Sequence, residues 1–408
     1  MPEPDEPTVP KSGGDRAGNL RFPMERPDAP FDPPPEYARL RAEEPVADAT
    51  LADGRKVLLI SRYDDVKSTL RDPRVSSDLR KPGCPVPGGG PPLPEGAPHP
   101  CFRTDPPEHT IYKKLLLPDF TVRKVNGMKP RIREIVRGVL DDMAGAGGPV
   151  DLNAAVAVPV PSLVICELLG VPYADHEFFQ ERTAVPLNRS STPVEVKAAM
   201  TDLWDYLARL LAVKRADPGD DILSKLAASQ AEERDAVASA IAVLNGGHET
   251  TVNMISLGTA VLLERPGVLA ELRADPGLWP GAVDELLRYL SIGDLSVARA
   301  ALDTMEIGGR TVHAGEGMFL LVGAANRDAD AFPDPDEFDV RRPRHRHIAF
   351  GHGMHQCIGQ HLARAELEIV FAELFGRFPG LRLAVPASEL SFKKDSHVYG
   401  LRSLPVEW

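Results

Sequence analysis

Residues 350–359 read Phe350-Gly351-His352-Gly353-Met354-His355-Gln356-Cys357-Ile358-Gly359, a lone cysteine set among glycines. A thiol ligates iron only as the thiolate, and nearby backbone N–H donors hold and tune that charge. Glycines let the backbone turn closely enough around the sulfur to supply them. Residues 360–368 have the period of an amphipathic helix whose positive N-terminal end faces the sulfur. Two rivals stand beside this reading. A free cysteine is ordinarily a small buried apolar residue, and His352, His355 and His361 lie near enough to suggest mixed zinc ligands, as in a zinc-stabilised binding protein. No CxxC knuckle accompanies them, and the glycines and Phe350 have no zinc role.

The second chemical stretch is Asn245-Gly246-Gly247-His248-Glu249-Thr250-Thr251, inside a segment, 232–264, whose nearly all-round apolar character predicts one long buried helix. Two glycines and a run of polar side chains within such a helix cost stability and demand a reason. The spacing lets the Thr250 hydroxyl bond back to the Gly246 carbonyl, opening the helix and leaving room for a small ligand or water. A polar stripe at a helix contact is the plainer alternative. His248-Glu249 also begins like the HExxH zinc-protease motif, but Val252 stands where the second histidine belongs.

The elements that must position these stretches are mostly helices. Apolar periodicity predicts them at 34–44, 63–70, 128–143, 155–169, 174–183, 194–215, 280–290 and from 360 to about 378. Asp105-Pro106-Pro107-Glu108-His109 is a turn feeding another, with Pro107 near its first turn and Lys113 and Lys114 further along. A hairpin over 46–60 turns at Asp53-Gly54, and short strands are expected at 305–307, 311–313, 318–322 and 390–392. Residues 75–103 carry too many Pro and Gly to hold regular structure for long. The expected organisation is a flexible arm, 1–32, and one domain, 33–408.

The 408 residues, 43% hydrophobic and 26% charged, suit a folded enzyme-sized protein. A formal net charge of -12 argues against nucleic-acid partners. The first thirty residues show no apolar run, so neither signal peptide nor membrane anchor is expected, and the chain is placed in the cytoplasm. The four cysteines lack framework spacing, Cys84 with Cys101 being the one pairing considered.

The loop Phe-Gly-x-Gly-x-His-x-Cys-x-Gly followed by Leu362-Ala363-Arg364 resembles the haem-binding loop of the cytochrome P450 monooxygenases, and four further landmarks follow the same order over nearly the whole chain after residue 32. The resemblance implies a mainly α fold with a small β region, a triangular helical prism holding haem b between the long central helix and the cysteine loop. It implies Cys357 as the iron ligand, with Phe350, Gly351 and Gly359 shaping its loop. His109, Lys113, Arg299 and His347 match positions that bond the haem propionates. Lys113 stands where the family usually has arginine, replacing a fork of donors with one ammonium. Glu249 and Thr250 match the acid and alcohol that relay protons to bound dioxygen. Glu285, Arg288 and Arg342 match a buried structural ion network.

The implied activity is insertion of one oxygen atom of O2 into a C–H bond or an alkene of a small organic substrate, in the manner of actinomycete enzymes that tailor macrolides, other polyketides or peptides. Relatives acting on terpenes, steroids or xenobiotics, and haem-thiolate enzymes that do not activate oxygen or that use peroxide, are the alternatives within the fold. Val243, Leu244, Gly247, Leu295, Val297 and Tyr399, with the loop 75–103, are the expected substrate walls. Electrons are expected from NAD(P)H through a ferredoxin reductase and a ferredoxin, docking on a basic face of Lys113, Lys114, Arg123, Lys124, Arg341, Arg344 and Arg346 near the cysteine. The protein is expected to be a monomer.

Overall fold

The computed structural model describes residues 20–26, 30–86, 101–344 and 346–408, without the side chains of Cys101 and Asp294. Most of the expected N-terminal arm, the middle of the 75–103 loop and one thiol of the Cys84 and Cys101 pairing lie outside the described residues.

The helices in chain order are α1 (Glu36–Glu43), α2 (Tyr63–Thr69), α3 (Glu108–Leu116), α4 (Val122–Ala146), α5 (Pro159–Leu169), α6 (His176–Ala184), α7 (Pro193–Ala216), α8 (Ile222–Ala228), α9 (Glu233–Gly247), α10 (Glu249–Leu263), α11 (Pro266–Ala274), α12 (Trp279–Leu290), α13 (Val322–Ala325) and α14 (Gln360–Arg377). The segment expected to be one long helix is two, α9 and α10, parted at His248, whose φ of -87° and ψ of -79° break the ladder beside the two glycines. Sequence periodicity also missed α8, which Asp221 caps by accepting from the Ser224 N–H at 2.7 Å, and α11, which opens on Pro266.

The strands are β1 (Leu20–Arg21), β2 (Val46–Thr50), β3 (Lys56–Ile60), β4 (Val75–Ser76), β5 (Val150–Asp151), β6 (Ala298–Ala301), β7 (Met305–Ile307), β8 (Arg310–Val312), β9 (Gly317–Leu320), β10 (Arg382–Leu383) and β11 (Pro405–Glu407). The expected strand at 390–392 is absent: Phe392 makes one isolated bridge to Leu401. The largest sheet runs β1-β2-β3-β9-β6-β4, with β3 and β9 parallel and β6 antiparallel to β9. Strand alternation gives it two apolar faces. Leu58, Ile60, Met318 and Leu320 pack in one cluster, and Val57, Leu59, Phe319 and Leu321 in another. Between these layers β6 carries Arg299 into the interior.

The main core lies among the helices, where α14 packs along α4, α12 and α10. Gly258 on α10 marks the closest approach, since a Cβ there would lie 2.6 Å from the Phe371 ring and 3.2 Å from Leu286. Among the described residues no helix is long and apolar enough to cross a membrane. Overpacking a full core costs about 1–3 kcal/mol. Gly258→Ala is therefore expected to lower the thermal midpoint measurably, whereas Gly267→Ala, where the added carbon meets nothing within 4 Å, leaves it unchanged in the same denaturation scan.

Candidate functional site

The cysteine loop is shaped by its glycines. Gly351 and Gly353 adopt φ of 69° and 74°, and a Cβ on Gly353 would meet the Leu70 carbonyl oxygen at 2.6 Å. The Cys357 N–H donates to the Phe350 carbonyl at 2.9 Å, closing the turn. Sulfur then sits just before the first turn of α14. The Cys357 side chain is exposed, with protein packed close around it. Burial pushes its thiol up, opposed by the N–H groups of Gly359 and Gln360 and by Arg364. The Arg364 guanidinium lies 4.6 Å over the Phe350 ring.

Facing this loop is a group of buried cations and imidazoles. His109 on α3 and His355 in the loop hold their rings 4.2 Å apart. Neither ring nitrogen of His355 has a hydrogen-bond partner. Burial, then Arg299, His109, Arg103 and Lys113, drive the His355 imidazole far below its ordinary range. Arg299 donates to the Ala298 carbonyl at 2.8 Å, and Arg103 to the same oxygen at 3.2 Å. Both guanidinium groups are buried, and among the described residues neither forms an ion pair. Burial and Arg103 push Arg299 down to about 9. Buried guanidinium groups without an ion pair and orphaned imidazole nitrogens would suit an anionic ligand, and a haem held by Cys357 could set its carboxylates against them.

The sequence expectations divide here. His109 and Arg299 join the cluster. Lys113 lies beside it and gives its ammonium to the Met354 carbonyl at 2.6 Å. His347 does not join: its Nδ1 accepts from the Ala349 N–H and its Nε2 lies 3.3 Å from Asp284, which also pairs with Arg344 and Arg364. A buried carboxylate is a stronger partner for that ring than the distant cluster. His355 and Arg103 are the members that sequence reasoning missed. His355 was legible, two residues before the cysteine; Arg103, at the end of the Pro- and Gly-rich loop, gave no signal.

At the break between α9 and α10, the Thr250 hydroxyl donates to the Gly246 carbonyl at 2.8 Å, as the spacing predicts, and Thr251 repeats the bond to Gly247 at 3.1 Å. Gly246 faces open space, whereas a Cβ on Gly247 would strike Ile165 at 2.7 Å. The glycine toward the opening is therefore Gly246, in place of the expected Gly247. Glu249 meets Lys393 at 2.6 Å and Asn253 at 3.3 Å. Val243 and Leu244 are buried in the helical core. Leu295 and Val297 pack toward opposite faces of the sheet, leaving Ser296 exposed between them. Tyr399 stacks on Phe392 with ring centres 5.6 Å apart and lies under Arg26, so its ring is engaged by the protein's own groups.

Glu285, Arg288 and Arg342 do come together. Arg288 grips both Glu285 oxygens at 2.7 Å and donates to the carbonyls of Asn326, Pro335 and Glu337. Arg342 reaches Glu285 at 3.2 Å and the Pro333 carbonyl at 2.6 Å. The network ties α12 to the chain leading into the cysteine loop.

The family model described as Cytochrome P450 matches residues 278–386. Cytochrome P450-SU2 of Streptomyces griseolus is 46% identical over 391 residues, 95% of this chain and 97% of that protein. The chain belongs to the cytochrome P450 family. This P450 is also 42% identical to the 20-oxo-5-O-mycaminosyltylactone 23-monooxygenase of Streptomyces fradiae, over 96% of its own length and 93% of that enzyme. The solved mycinamicin VIII C21 methyl hydroxylase of Micromonospora griseorubida, bound to mycinamicin VIII, superposes with a TM-score of 0.88 at 38% identity, over 95% of this chain and all of that one. The fold is thus the mainly helical P450 fold with small sheets, and the family implies haem and electrons from a redox partner. In a haem-free preparation, the buried cations have no counter-charge. Arg299→Leu is expected to leave the haem-free chain as stable or more so by calorimetry, and Arg299→Leu and His355→Ala are each expected to lower the haem to protein ratio after gel filtration.

Proposed function

We propose that this P450 is a monooxygenase whose Cys357 ligates haem iron, with His109, Arg299, His355 and Arg103 binding the propionates, and that it hydroxylates or epoxidises a macrolide or related polyketide. The observation that carries the haem assignment is the pairing of an enclosed sulfur, aimed at by two N–H groups, with unpaired buried cations. Bound there, the haem supplies reductive activation of dioxygen and insertion of one of its oxygen atoms. The protein's part is to hold the thiolate, exclude water and move protons. Thr250 keeps the helix open at Gly246, and Glu249, one residue earlier, supplies the proton-carrying carboxylate.

The substrate class rests on relatives named for macrolide oxidation, a tylactone glycoside 23-monooxygenase and a mycinamicin hydroxylase. The test is an absorption titration of the haem-containing protein with macrolides, other polyketides, peptides, terpenes and steroids. A shift of the haem band to high spin by the macrolides alone supports the assignment; a shift by steroids or terpenes alone overturns it.

The electron donor we propose is a ferredoxin, reduced by NAD(P)H through its reductase and docking beside the cysteine loop. There, exposed Leu117, Val122 and Met354 accompany Lys114 and Arg123, next to a hollow of about 450 Å³ lined in part by Pro118, Thr121 and Met128. Phe120, in the same segment, approaches the position a Gly359 Cβ would take, as does the Cys357 sulfur. Three members of the expected basic face are already neutralised, Lys124 by Asp220, Arg341 by Glu271 and Arg344 by Asp284. Charge reversal is therefore most informative at Arg123. Arg123→Glu should slow reduction by ferredoxin roughly tenfold at low salt, with the deficit shrinking as salt rises, in stopped-flow traces.

A further inference from the structure

Glu249 and Thr250 are neighbours in sequence, yet their side chains are bound to different parts of the protein. The Thr250 hydroxyl is given to α9, at Gly246. The Glu249 carboxylate is held by the C-terminal hairpin: Lys393 Nζ donates to Oε1 at 2.6 Å and to Asn253 Oδ1 at 3.0 Å, while Asn253 Nδ2 donates back to the same Glu249 oxygen at 3.3 Å. His248, on the other side, turns away, with Nε2 2.9 Å from the Ser162 hydroxyl. The Glu249 side chain is 12% exposed and that of Lys393 22%, so the lysine is the more open partner of the pair.

The hairpin that delivers Lys393 is anchored by bonds that do not use the ammonium. The Lys393 N–H donates to the Gly400 carbonyl at 2.8 Å, and Phe392 bridges Leu401. Gly400 fits against Asn253 so closely that a Cβ would lie 2.0 Å from its Oδ1. The Tyr399 N–H reaches the Ile292 carbonyl. At the tip, the segment joining α6 to α7 closes over the hairpin: Arg189 N–H donates to Asp395, His397 N–H donates to Leu187, and Asn188 bridges Ser396. Removing the Lys393 charge thus leaves the hairpin docked and changes what Glu249 has beside it.

We infer that Lys393 is a positioning residue for Glu249, holding its carboxylate at the water-facing end of its reach, where each proton Glu249 hands inward is replaced by one from solvent. A buried carboxylate needs a hydrogen-bonded cation or it swings to another partner. Without Lys393, the Glu249 side chain keeps, among the described residues, only the bond from Asn253 Nδ2 at 3.3 Å. The inference rests on the reading of Glu249 as the proton-carrying acid, and the test separates the two.

The variants are Lys393→Met, which keeps length without charge, Lys393→Arg, Glu249→Gln and the Lys393→Met/Glu249→Gln pair, each as haem-containing protein with the panel compound that binds best. In Lys393→Met, product formed per NADH is expected to fall about tenfold, the scale of one charged hydrogen bond, with peroxide released instead. The solvent deuterium effect on kcat is expected to grow, KM to stay within about twofold, and Lys393→Arg to restore most of the coupling. Lys393→Met should add nothing in the Glu249→Gln background. Independently of turnover, thermal midpoints of the parent, Lys393→Met, Glu249→Gln and the double variant should show the two substitutions to be non-additive, and hydrogen exchange over 390–404 should match the parent. Full coupling in Lys393→Met while Glu249→Gln is uncoupled overturns the inference and leaves the acid standing. Full coupling in Glu249→Gln overturns both. A raised KM with loosened hairpin exchange assigns Lys393 a structural role and also overturns it.

Discussion

The architecture turns on the difficulty of keeping charge of both signs inside a protein before they meet. A sulfur enclosed by protein resists ionisation, and guanidinium groups removed from water lose several kcal/mol of hydration each. Here both are present, and the chain keeps them apart with different devices. Helix α14 and the N–H groups of Gly359 and Gln360 serve the sulfur. Strand β6 carries Arg299 and helix α3 carries His109. The ion network of Glu285, Arg288 and Arg342 fixes the chain that leads from one to the other, so that the rigid element of the site is itself a fully bonded salt bridge.

Much of this was legible in the sequence because the chemistry demands unusual residues at short range. Glycines around Cys357, and glycines with hydroxyls inside an apolar helix, each violate local preference, and such violations mark sites. Thr250 bonding back to Gly246 followed from spacing alone. The places where sequence failed share a different cause. That Gly246 rather than Gly247 faces the opening depends on Ile165, a residue far away in the chain. His347 was drawn to Asp284 by tertiary packing, and Lys393 meets Glu249 from 144 residues further along the chain. The 390–392 segment has strand-like composition, but its neighbour at Leu401 permits one bridge and no ladder. Local pattern fixes what a residue is able to do; only the fold decides which partner it finds.

The C-terminal hairpin gave little signal in the sequence, yet it touches the site at several points. One of its residues reaches the acid beside the helix break, another abuts Asn253, and its tip meets the segment between α6 and α7. The segment between α6 and α7 therefore shares a scaffold with the polar groups of the long helices.

The order of the large sheet carries a further consequence. Strand β3 has β2 on one side and β9 on the other, and β6 lies between β9 and β4. The central strands thus come from opposite thirds of the chain, and loop closure of that length is slow. During synthesis, β3, Arg103 and His109 emerge long before β6, β9, the His355 loop and Cys357. Until β9 is made, the edge of β3 that it covers is unpaired and open to other chains.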